Sequence, residues 1–157
     1  MIFFIYQIFL SIILIFSPII LIFRIIKNKE DKFRFREKFC FFSKKRNTGK
    51  LIWFHGSSVG EILSVIPIIK KYDNDKSVDT ILITSSTLSS SGIINKIKFK
   101  KTIHQFYPID FFLFSKKFLD YWKPNIAIFL ESEIWPSMFK SLKKKGHSFS
   151  FIKCENY

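Results

Sequence analysis

Residues 53–61 read WFHGSSVGE. An apolar run stops at His55, the chain turns through Gly56 and two serines, and a carboxylate, Glu61, stands at the head of ILSVIPIIKKY (62–72). This is the sequence of a buried strand handing over to a helix. Gly56 allows a tight turn, the serines can cap the helix start, and an acidic residue in the first helical turn complements the helix dipole by roughly 0.3–1 kcal/mol. The same alternation continues outward. LIWFH (51–55), TILITS (80–85), IHQFY (103–107), NIAIFLE (125–131) and SFSFI (148–152) read as five strands. Between them, Gly60 to Tyr72, Ser89 to Lys98, FFLFSKKFLDYW (111–122) and WPSMFKSLKKKG (135–146) read as four helices. In the last of these, Pro136 suits the first turn and Gly146 a C-terminal stop. Strands alternating with helices predict an α/β fold, a Rossmann-like parallel sheet of order 3-2-1-4-5.

That order has a chemical consequence. Strands one and four become neighbours, and ligands bind beyond the carboxyl ends of the strands where the order reverses. Glu61 follows the first strand and Glu131 closes the fourth, so two distant carboxylates reach one crevice. Such a pair can supply a general base for a hydroxyl, its partner assisting. Strand alternation would send Glu131 and Glu133 to opposite faces. The Ser/Thr-rich loop TSSTLSSSG (84–92) opens on the same edge, where hydroxyls and helix-start amides suit sugar or phosphate oxygens.

A rival pattern occupies the same letters. GSSVG (56–60) fits G-x-S-x-G, a nucleophile elbow centred on Ser58, and Asp110 or Glu131 with His147 would complete a hydrolase triad in chain order. A membrane-anchored serine hydrolase is therefore the alternative. Against it, no glycine-rich oxyanion loop precedes the elbow. The histidines suggest structural hydrogen-bonding groups rather than ligands.

The remaining 157-residue chain is basic, with a net charge of +14 and 21 phenylalanines. Heavy use of Phe, Ile, Lys and Asn accounts for much of this without a nucleic-acid partner. Two cysteines, Cys40 and Cys154, lack metal-ligand spacing and fit reduced thiols. Residues 1–23 contain no Lys, Arg, Asp or Glu. Their length matches the ~30 Å hydrocarbon core at ~1.5 Å per residue, and they lack the basic start and small-residue cleavage site of a signal peptide. Arg24, Lys27, Lys29, Lys32, Arg34, Arg36 and Lys38 follow. An N-terminal transmembrane helix over 1–26 is expected, with the rest on the cytoplasmic side, then a basic connector over 27–47 and the Rossmann-like domain over 48–157.

Several segments together resemble the 3-deoxy-D-manno-octulosonic acid (Kdo) transferases of lipopolysaccharide synthesis: the apolar N-terminus, RFREKF (34–39), WFHGSSVGE (53–61), the TSST loop with Ser91-Gly92, FYPID (106–110) and ESEIWP (131–136). Departures are mild: Gly56 replaces another small residue, and serines replace threonines in the second loop. The resemblance implies the N-terminal, acceptor-side half of a GT-B glycosyltransferase at the bacterial inner membrane. It implies transfer of Kdo from CMP-Kdo to a lipid A precursor, without metal or other cofactor. Glu61 would be the base and Glu131 would assist, with His55, Ser57, Ser58, Gly60 and Thr87 binding the acceptor. The family's second half, which holds the donor nucleotide, is not among these residues, and the expectation is that the 157 residues are inactive alone.

Overall fold

The computed structural model describes residues 1–131 and 134–152. Glu133 and Cys154 lie outside the described residues. Five parallel strands, β1 (Leu51–His55), β2 (Thr80–Ser85), β3 (Thr102–Phe106), β4 (Ile126–Leu130) and β5 (Ser148–Ile152), form one sheet of order β3-β2-β1-β4-β5. The helices are α1 (Ile2–Ile26), α2 (Val59–Asn74), α3 (Leu88–Lys96), α4 (Phe112–Trp122) and α5 (Pro136–Lys145). The expected elements are present, and three strands begin and end on the expected residues. The fourth is one residue shorter at each end, so Glu131 stands in the turn beyond it.

Residue alternation divides the core into two layers. Leu51, Trp53, Leu82, Ala127 and Phe129 project to one face, where Phe118 and Trp122 of α4 and Met138 and Leu142 of α5 cover them. Ile52, Phe54, Ile81, Ile83 and Ile128 project to the other, beneath Ile62, Val65 and Ile69 of α2 and Ile94 of α3. A sheet covered on both faces buries its central strands at every position, which is why LIWFH and TILITS are mostly apolar with no polar face. Register pairs His55 with Thr84 on one side and Phe129 on the other, so all the loops of interest leave one edge. α5 ends as expected, with Gly146 at φ +69, a conformation in which a side chain would be strained.

Residues 27–47 are more than a connector. Arg34–Phe39 form a 3-10 helix packed against β3. Glu37, 1% exposed, accepts the Phe106 backbone N–H at 2.8 Å and pairs with the Arg34 guanidinium through both carboxylate oxygens. Arg34 also donates to the His104 carbonyl at 2.9 Å, and the Ser43 hydroxyl donates to Glu37. Cys40 is fully buried, and Phe42 stacks on Tyr121 at 3.8 Å between ring centres. Charge density suggested a basic connector; the partners that bury these charges are about 70 residues away in the chain.

Candidate active site

Ser58, at φ −105, caps α2: its hydroxyl accepts the Glu61 backbone N–H at 3.2 Å. The Glu61 carboxylate returns to accept the Ser57 backbone N–H at 2.9 Å. SVGE is therefore a capping box in which the acidic member reaches one residue further back than usual. The cap fixes one carboxylate oxygen and with it the direction of the whole group. Gly56 makes room for this. A Cβ there would lie 2.9 Å from Leu130, 3.1 Å from Ile62 and 3.3 Å from the Cβ of Glu61. The β1–α2 turn is thus packed directly against the end of β4, the residue before Glu131.

Glu131 itself sits at φ +61, in the left-handed region. Its backbone N–H donates to the Ile152 carbonyl at 2.9 Å, which ties the turn to β5. A left-handed non-glycine residue costs on the order of 1–3 kcal/mol and persists only where surrounding structure fixes it. The expectation from strand alternation fails for this residue, because the strand ends before it.

The second loop joins from the other side. Thr87 caps α3, accepting the Ser90 N–H at 3.3 Å, and the Ser86 hydroxyl lies 3.5 Å from that of Ser57. Ser58, Gly60 and Thr87 are exposed, while Ser57 and Glu61 are half-buried. His55 is 1% exposed and lies beneath the crevice rather than on its surface. Its Nδ1 is 2.9 Å from the Thr84 hydroxyl, and its ring stacks on Tyr107 at 3.9 Å. Burial holds its pKa down at about 3, so the imidazole is neutral at physiological pH.

Two groups take roles other than those the sequence suggested. Asp110, 2% exposed, accepts the backbone N–H groups of Ser137 and Met138, each at 2.9 Å, and the Tyr6 hydroxyl at 2.9 Å. It caps α5 from a distant loop, satisfying donors that Trp135 does not cap. Burial raises its pKa against the opposing pull of these donors. Lys38 bonds buried Glu30 at 2.6 Å and reaches the Ser86 carbonyl at 3.4 Å, placing a cation beside the second loop. The paired motifs FYPID and WP were the available signal for the first. Lys38 read as one of the cations flanking the apolar run, and its partner Glu30 was not singled out.

The hydrolase arrangement does not form. His147 precedes β5 and Ser58 follows β1, so they lie at opposite ends of the sheet, a strand length of ~16 Å apart. Asp110 is committed to the α5 cap. Among the described residues no group of three or more His, Cys, Asp or Glu is placed to hold a metal ion.

A parallel sheet of order β3-β2-β1-β4-β5 with helices on both faces defines a doubly wound α/β domain of the Rossmann-like class. Residues 33–154 match the family described as 3-deoxy-D-manno-octulosonic-acid transferase (kdotransferase), and the chain belongs to that family. The domain is the N-terminal half of a GT-B glycosyltransferase. The chain is 36% identical over 138 residues to a 3-deoxy-D-manno-octulosonic acid transferase of Rickettsia bellii, covering 87% of this chain and 33% of that protein. It is 26% identical over 136 residues to the Haemophilus influenzae transferase, covering 84% and 32%. A Rickettsia felis transferase is 43% identical over 86 residues, 55% of this chain and 18% of that protein. The chain spans about a third of the length of the curated relatives it matches over most of its own length.

Proposed function

We propose that this domain binds the acceptor in Kdo transfer from CMP-Kdo to a lipid A precursor, within lipopolysaccharide synthesis. The observation that supports this reading is the capping box, which holds Glu61 at the start of α2, beyond the carboxyl end of β1. In this reading Glu61 takes the proton of an acceptor sugar hydroxyl. The oxygen forms a bond to the anomeric carbon of Kdo while the bond from that carbon to CMP breaks, and CMP departs with the electron pair. Glu131 assists across the crevice. Ser57, Ser58, Gly60 and Thr87 offer hydroxyls and backbone amides to the acceptor, and His55 supports the floor from below. The chemistry asks for no metal. Its home would be the bacterial inner membrane, with α1 as anchor and the domain facing the cytoplasm.

The donor nucleotide belongs to a second domain, outside these residues. Holding donor and acceptor together can contribute ~7–11 kcal/mol to lowering the barrier, so the 157 residues alone should not turn over. The test is transfer of labelled Kdo from CMP-Kdo to a lipid A precursor. The chain is assayed alone, and with the remaining C-terminal portion of the Rickettsia bellii relative supplied separately or fused. Turnover only with the added portion is expected. Turnover by the chain alone would overturn the division of labour, and none in either case would overturn the assignment.

A further inference from the structure

β3 is one edge of the sheet, and only part of its outer side is covered. In a parallel ladder, alternate residues of a strand bond the neighbouring strand. The Ile81 N–H donates to the Lys101 carbonyl and the Tyr107 N–H donates to the Ser85 carbonyl, which fixes the phase. Ile103 and Gln105 therefore face β2, while Thr102, His104 and Phe106 turn their backbone groups outward. The 3-10 helix meets the far half of this edge. Glu37 accepts the Phe106 N–H at 2.8 Å, and Arg34 donates to the His104 carbonyl at 2.9 Å. The near half is open. Among the described residues, the N–H and C=O of Thr102 and the N–H of His104 have no hydrogen-bond partner. The Thr102 hydroxyl is buried and unpartnered as well.

A cleft of about 470 Å³ opens at the same residues. It is lined by Arg34, Ser43 and Lys44, by Asn95 of α3, and by Thr102, Ile103 and His104. Its surroundings are cationic. Lys96, Lys98, Lys100 and Lys101 lead from α3 into β3, and Lys44 and Lys45 follow the 3-10 helix. Lys101 donates to the Asp75 and Val78 carbonyls. The others are exposed, and no carboxylate among the described residues pairs with them. The cleft is separate from the crevice. Thr102 is the first residue of β3, toward the opposite end of the sheet from the loops that carry Glu61 and Thr87.

We propose that this cleft docks an acidic, extended peptide segment of a partner protein, which adds a short strand to the open half of β3. Unpaired donors and acceptors along a strand edge recognise another backbone. A lone anion could use the lysines but would leave the Thr102 carbonyl unpaired. The added strand bonds the N–H and C=O of Thr102 and the N–H of His104, and Arg34 and Glu37 stop it there. The lysines set the choice of partner by charge. Lysines beside an open edge discourage pairing with like chains, and a second copy of this chain would bring a net charge of +14 to the same patch. Carboxylates flanking the paired residues meet Lys44 on one side and the lysines of 96–100 on the other. This docking is independent of the acceptor reading above.

The experiment uses the full chain in a neutral detergent. The probe is a fluorescein-labelled peptide, Glu-Glu-Val-Thr-Val-Glu-Glu. One control replaces every glutamate with lysine, and the other is N-methylated at the threonine and both valines. Fluorescence anisotropy should show the acidic peptide binding about tenfold more tightly than either control. A Lys44→Glu/Lys98→Glu chain, changed only at exposed positions, should lose about fivefold in affinity for it. Amide exchange followed by NMR should slow about tenfold at Thr102 and His104 in the complex, with no change at Phe106, which Glu37 already bonds. Absence of binding, equal binding of the N-methylated peptide, unchanged affinity in the double variant, or binding without protection at Thr102 and His104 would each overturn the proposal. Displacement of the peptide by polyuridylic acid or by phosphatidylglycerol mixed into the micelles, at equal charge, would mark a general polyanion surface and overturn it too.

Discussion

The two glutamate loops reach the same crevice by different means. The β1–α2 loop is self-sufficient. The Ser58 hydroxyl accepts the Glu61 N–H and the Glu61 carboxylate accepts the Ser57 N–H, all within residues 57–61, and Ser58 adopts an ordinary extended conformation. The β4–α5 loop is held from outside. Glu131 sits in the left-handed region, tied to β5 through its backbone, and the helix after it is capped by Asp110 from the β3–α4 loop. A residue can be fixed by its own helix or by the assembled sheet. Here the first method holds the Glu61 carboxylate and the second holds the Glu131 backbone.

The sharpest test of the first loop is Glu61→Gln in a complete two-domain version of the enzyme. The amide oxygen can still accept the Ser57 N–H, so the cap and fold should persist while transfer falls on the order of 10²–10⁴-fold. Thermal unfolding alongside kinetics checks both halves. A mild effect here, with Ser58→Ala abolishing activity, would reverse the assignment.

Next in size is a pH effect that belongs to the sheet. His55 and His104 titrate at about 3 in the folded chain, both through burial, with Arg34 adding to the depression at His104, against 6.5 as the ordinary value. Above pH 6.5 both are neutral folded or unfolded, and the domain has its full stability. As pH falls from 6.5 toward 3 the unfolded chain binds protons that the folded one refuses. Stability therefore drops, by a few kcal/mol for each histidine at the low end. Urea midpoints at pH 7.5 and 4.5 measure it, and His104→Gln should flatten the slope.

The second loop should be broken from a distance. Asp110→Ala leaves the Ser137 and Met138 N–H groups and the Tyr6 hydroxyl without their acceptor, and should cost about 3 kcal/mol in urea unfolding. By contrast, Ser58→Ala removes one local cap and should cost only about 1 kcal/mol. If the two losses were equal, the difference between the loops would not be real. The smallest expected effect has the opposite sign. Glu131→Gly relieves the left-handed conformation and should stabilise the fold by up to about 1 kcal/mol while reducing transfer in the complete enzyme. A loss of stability there would mean that Glu131 makes compensating contacts.

What the sequence determined by itself was local or periodic. Apolar runs of strand length separated by helical stretches specified the sheet, because a sheet covered on both faces buries every central position and so favours apolar residues there. SVGE specified its own cap, because all its partners lie within one turn, and the charge-free first 23 residues specified a long apolar helix. What only the tertiary structure decided involves partners far apart in the chain. Arg34 and Glu37 read as part of a basic connector until the 3-10 helix packed them against β3. Glu131 read as the last residue of a strand until β5 and the end of β4 turned it left-handed. Tyr6 and Gln7 lie within the charge-free run, and only the fold gave them acceptors, Asp110 and Ser137, more than a hundred residues away. A hydrogen bond between groups so distant in sequence leaves no period and no spacing to read; it exists only once the strands have fixed where each loop emerges.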